Sequence, residues 1–189
     1  MGSPVREMMM NRLFRSLALL TAFLPAMASA GASTVAVNGE VSTQCSGGSV
    51  QGGDSVFALG IMVDTATDLL LDNLSAPPKT IVGAFCNSAS TITVAATPMT
   101  PSEFAGAPPN GFSDAVDYTT TASGWTTHPA EFTTDAASNP NATQKQPAAF
   151  SGVITVAVSG FTPVGGPAMR LVADPNYVGH ITVTLAAAS

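Results

Sequence analysis

Near the C-terminus the chain alternates strictly: Tyr177, Gly179, Ile181, Val183 and Leu185 fall in one phase, His180, Thr182 and Thr184 in the other. A period of two sends successive side chains to opposite faces, so this stretch predicts a β-strand with one buried face. The same period returns over 150–161, where Ile154, Val156 and Val158 share a phase, and over 56–63 with Phe57, Leu59, Ile61 and Val63. It also marks 34–41, where Val35, Val37 and Val41 oppose Thr34, Ala36, Asn38 and Glu40. Residues 80–86 and 91–96 read as a hairpin around Asn87-Ser88, and Val116, Tyr118 and Thr120 suit one further strand. No amphipathic helix of useful length is available to make a parallel crossover, so an all-β, antiparallel β-sandwich is expected.

Composition supports short strands joined by many turns. Among 189 residues, 17 are Gly and 14 are Pro, the residues that set the dihedrals of turns. Over 97–146 the prolines Pro98, Pro101, Pro108, Pro109, Pro129 and Pro140 are scattered among Thr, Ser, Ala and Asn. This predicts a long irregular insertion around one strand, anchored to the core by Trp125. Its polar stretch 135–146 is expected to be the most mobile part. Residues 64–78 stay ambiguous: Asp64, Asp68 and Asp72 have helical spacing, while Leu69, Leu70, Leu71 and Leu74 suit either structure until Pro77-Pro78 ends it.

At the N-terminus Arg6, Arg12 and Arg15 precede an apolar run over 17–24, followed by Pro25 and Ala28-Ser29-Ala30. A basic flank, a short apolar core and a small-residue exit define a secretory signal peptide, expected over 1–30, with 31–189 as a single secreted domain. The apolar run is short for a bilayer, and no later run of about 20 apolar residues suggests membrane insertion. Cleavage would leave Lys79, Lys145 and Arg170 against eleven acidic residues, a net charge of −8 with His neutral. Such a surface repels phosphate, which leaves a nucleic-acid-binding role without electrostatic footing and counts against adsorption to anionic lipid. Export would carry Cys45 and Cys86 into an oxidising compartment, where they are expected to form a disulfide that clamps the two layers together; two separate buried thiols are the alternative.

Catalytic chemistry finds little footing. His128 and His180 have no zinc spacing, and Asp64, Asp68 and Asp72 match no compact calcium loop, so no metal or other cofactor is expected. Gly111-Phe112-Ser113-Asp114-Ala115 approaches a nucleophile turn but lacks its second glycine and its helix. Glu40, Glu103 and Glu131 carry no feature of a paired acid and base. The chain is therefore read as non-catalytic. A secreted module binding carbohydrate through Trp125 and Tyr118 is a second reading, and a secreted hydrolase a distant third.

Three features in order carry a resemblance. The segment Val35-Ala36-Val37-Asn38-Gly39-Glu40-Val41 precedes Cys45, Phe57-Ala58-Leu59-Gly60 precedes Phe85-Cys86, and the chain ends in an alternating strand from Tyr177 to Leu185. This resembles the pilin subunits of the chaperone-usher pathway and the related spore coat U-type secreted domains. The resemblance implies an incomplete immunoglobulin-like sandwich with a disulfide between early strands. Its missing strand would come from a periplasmic chaperone and then from a like or related subunit at an outer-membrane usher. It also implies passage through the periplasm to the cell surface or a fimbrium, where such a subunit serves structure or adhesion. Ile181, Val183 and Leu185 would then form the strand-pairing edge. Cleavage after Ala30 would leave only Gly31 to Thr34 ahead of the first strand, too short for a separate donor arm. If the chain donates a strand, that strand is 34–41 with Val35, Val37 and Val41; otherwise it ends a fibre or is a complete domain.

Overall fold

The computed structural model describes residues 36–188, so the signal peptide expected over 1–30, and Val35, lie outside the described residues. Contacts divide the chain into Met1–Gly39 and Glu40–Ser189, and the described strands all belong to the second unit. Its strands are β1 (Cys45–Ser46), β2 (Ser49–Val50), β3 (Lys79–Cys86), β4 (Ser90–Ala96), β5 (Thr100–Pro101), β6 (Phe112–Ser113) and β7 (Val116–Ser123). There follow β8 (Ala130–Thr133), β9 (Thr143–Gln146), β10 (Phe150–Pro163), β11 (Arg170–Leu171), β12 (Tyr177–Val178) and β13 (Ile181–Ala187).

Two antiparallel layers hold the core. The larger has the order β1-β3-β10-β7-β8, with β2 also on β3, and the smaller has the order β13-β4-β9. Two short pairs, β5 with β12 and the parallel β6 with β11, decorate one end. Ala84 and Cys86 of β3, Ile154 and Val156 of β10, Ala122 of β7 and Ala130 of β8 pack on Ile92 and Val94 of β4. Ile181, Val183 and Leu185 of β13 complete this cluster as partly buried residues. Over 150–161 and 177–185 the alternation read from sequence thus supplies inner-face residues of the two layers, and each large aliphatic removed from water stabilises the fold by about 1.5–3 kcal/mol. In β3 a bulge lies opposite the shift between Gly152 and Ile154. There Gly83 adopts φ +74, a conformation that a side chain would disfavour.

Several expectations are corrected. The strands β3 and β4 are consecutive but belong to different layers, so residues 80–96 form a crossover between sheets and not a hairpin. The cystine does not clamp the layers together: Cys45 and Cys86 are directly paired on β1 and β3 of one sheet. The segment 97–146 contributes β7, β8 and β9, and β7 lies inside the larger sheet. Its polar stretch 135–146 is tied down, because Asn139 exchanges two hydrogen bonds with Thr133 and Ala142 C=O accepts from Val94 N–H. Residues 64–68 form a turn capped by the Asp64 carboxylate on Ala66 N–H, closed by the Val63–Leu70 bridge.

Neither early alternating segment forms the strand expected of it. The described part of 34–41 makes no ladder, and Val37 and Val41 are 95% and 86% exposed. Alternation prepares an apolar face, but a strand exists only once an edge accepts its backbone. Residues 56–62 also lack a ladder; Phe57 and Leu59 are half-buried while Ile61 is 75% exposed.

Candidate strand-pairing groove

The two sides of the sandwich differ. On one side β8 and the chain entering β9 are joined across the layers by Glu131 N–H donating to Asn141 C=O at 3.0 Å. The opposite side is bounded by β1 and β2 in the larger layer and β13 in the smaller, and among the described residues no hydrogen bond joins them. Here an apolar groove of about 520 Å³ opens between Ile81, Val156 and Val158 of the larger layer and Ile181 and Val183 of β13. Tyr118 stands on its floor, with its hydroxyl 3.5 Å from His180 C=O.

Hydrogen-bond phase determines what β13 offers to this opening. Its register pairs Val183 with Val94, and Val94 N–H donates away from β13, to Ala142 C=O at 2.9 Å. In the same register Thr97 N–H donates to His180 C=O and Ala188 N–H donates to Ala89 C=O. The even-numbered residues of β13 therefore carry its bonds to β4, and the odd-numbered ones face the other way. Ile181, Val183 and Leu185 consequently send their side chains into the core and their N–H and C=O groups to an edge unpaired among the described residues. Leaving such groups open beside an apolar groove creates a template for one more strand.

The other residues singled out from sequence are not brought together. Cys45 and Cys86 are bonded to each other, 41 residues apart in sequence; cystines of this kind persist in oxidising compartments outside the cytoplasm. Val37 and Val41 lie in no strand. Ser113 is buried, and its hydroxyl donates to Ala115 C=O and accepts from Ala115 N–H, so it serves its own turn. Trp125 and Tyr118 are 1% and 3% exposed, which removes both as a surface platform for sugar. Among the described residues no group of three or more His, Cys, Asp or Glu is placed to hold a metal, and no helix is long and apolar enough to cross a membrane.

Asp174 was not singled out from sequence, although an Asp before Pro175-Asn176 is a turn signal. It organises the pole of the sandwich next to the groove. Its carboxylate accepts from the backbone N–H groups of Ser102, Glu103, Phe104 and Asn176. Desolvation pushes this carboxyl upward, but the bonds from Asn176, Glu103, Phe104 and Ser102 together outweigh it and hold it down at about 2. A depressed carboxyl adds stability above its unfolded value near 3.9, and that stability fades as pH falls through the folded value. Between about pH 4 and pH 2 the 100–104 and 172–178 segments should loosen in wild type, and Asp174→Asn should already be loose at neutral pH. Amide exchange of Glu103 and Phe104 against pH measures this; equal protection in both proteins at pH 7 would remove Asp174 from that role.

Comparison with protein-family models, with curated proteins and with solved structures returns no match. The functional reading rests on the groove itself.

Proposed function

We propose that this protein is an exported, non-catalytic structural or adhesive surface subunit, similar to pilins, which assembles by accepting a β-strand at β13. The observation that carries the reading is the coincidence at Ile181, Val183 and Leu185 of inward side chains with outward backbone groups unpaired among the described residues, the first two of them lining the groove. A strand with alternating apolar residues would satisfy both at once, filling the groove and completing the ladder. The seven residues of β13 span about 23 Å. Residues 35–41 have the same length and place Val35, Val37 and Val41 in one phase, with Gly39 between them. That segment is the proposed donor strand. A like or related subunit would be its acceptor, and a periplasmic chaperone with an outer-membrane usher would hold the edge covered during export. The depletion of charge, 10% of residues, suits a protein whose surface is covered by neighbours.

A synthetic peptide of residues 34–42 tests this. Added at about 100 times its dissociation constant it should stabilise the purified exported protein by about 2.7 kcal/mol, seen as a rise in melting temperature. A Val37→Asp, Val41→Asp peptide should do nothing. If both peptides leave the transition unchanged, and size exclusion with negative-stain microscopy shows only monomers, strand complementation is wrong for this chain.

A further inference from the structure

We propose that residues 55–61 are a strap which caps the Ile181 end of the groove and must be displaced before a strand can occupy that end; this rests on the strand-accepting reading of β13. The strap enters the same groove as Ile181 and Val183 through Phe57 and Leu59, and Phe57 packs against the core cluster. It occupies apolar space that an incoming strand would need. Yet its backbone joins no ladder, so moving it breaks no sheet hydrogen bonds.

Both ends of the strap are fixed while its middle is free to change shape. At the first end Lys79 Nζ lies 2.6 Å from the Asp54 carboxylate, which also accepts from Val56 N–H. The same ammonium stands 5.9 Å from the centroid of the Phe57 ring, within cation–π range. At the second end Leu71 N–H donates to Met62 C=O and Val63 bridges Leu70. Between them Gly60 has φ +70, and open space surrounds the position a Cβ would take. This kink breaks the alternation: Phe57 and Leu59 face the groove, while Ile61, in the same sequence phase, is turned to solvent. Straightening at Gly60 would change which side chains the strap presents, and a glycine makes both forms accessible.

The strap thus competes with a docking strand, and the affinity observed for any strand is lowered by the fraction of molecules whose strap is folded in. Phe57→Ala with Leu59→Ala should raise affinity for the 34–42 peptide about tenfold if nine molecules in ten are capped. It should also expose the groove to an apolar dye in the absence of peptide. Asp54→Asn, which releases the first anchor without touching the groove, should act in the same direction and guards against a double variant that fails to fold. In wild type, chymotrypsin should cut after Phe57 faster once peptide is bound. Unchanged dye binding and unchanged peptide affinity in folded variants would overturn the strap. If the peptide binds neither wild type nor variant, strand complementation fails, and the dye alone decides: stronger dye binding by the variants upholds the strap, equal binding refutes it.

Discussion

Trp125→Ala is expected to destabilise the domain by about 3–5 kcal/mol, the largest effect of any single substitution in the core. Trp125 is 1% exposed and sits between β7 and β8. Its indole packs edge-on against Phe150 at the start of β10, with ring centroids 5.1 Å apart. The indole N–H donates to Ser90 Oγ at 3.2 Å at the start of β4, and its own C=O accepts from the Gln146 side chain at the end of β9. One residue therefore holds together β10 of the larger layer and both β4 and β9 of the smaller. Trp125→Phe keeps much of the apolar contact but leaves the hydroxyl of fully buried Ser90 without that partner, costing about 1–3 kcal/mol. Adding Ser90→Ala to Trp125→Phe should recover part of that loss, because the unsatisfied hydroxyl is removed. Urea unfolding followed by circular dichroism measures all three, since Trp125 is the only tryptophan and fluorescence is lost with it. A loss below about 1 kcal/mol for Trp125→Ala would mean that the layers are held elsewhere.

The sequence was legible wherever an alternating run also found a partner. Ile154, Val156, Ile181, Val183 and Leu185 face inward in the phase their spacing predicts. The cysteine pair and the buried Trp125 were likewise readable from chemistry alone. What alternation could not reveal is pairing. Residues 34–41 and 56–63 carry the same period, but a strand is a property of two segments, and among the described residues neither joins a ladder, Val63 alone bridging Leu70. The converse failure is β9, whose Thr-Gln-Lys-Gln has no apolar phase. It is held by the ladder to β4 and by the Thr93 and Thr143 hydroxyls at 2.9 Å, which only tertiary context supplies. The groove was half legible: the inward phase of β13 was visible, but its open edge depends on the register with β4 and on which strands stand beside it.

Replacing both cysteines, Cys45→Ala with Cys86→Ala, is expected to lower stability by about 4 kcal/mol, from the chain entropy released when a closed loop of this size opens. For a domain of this length that is roughly a 10 °C fall in melting temperature. The effect should be larger near the groove than the average suggests, because the cystine fixes the root of the proposed donor segment. Asn87, next to Cys86, accepts from Gln44 N–H at 2.7 Å and donates through its side chain to Ser42 C=O at 2.8 Å, while its own N–H donates to Gln44 C=O. Cystine and clasp thus hold residues 42–45 against the end of β3 (Lys79–Cys86). Because they fasten one short stretch, their contributions should not add. Asn87→Ala should cost less in the cysteine-free protein than in wild type, with a coupling energy of about 0.5–3 kcal/mol. If the root is what directs the donor, the cysteine-free protein should still bind an added 34–42 peptide at β13 while losing its own ability to join other subunits. Fibres or oligomers at wild-type yield from the cysteine-free chain would show that the root does not direct donation, and that the cystine serves stability alone.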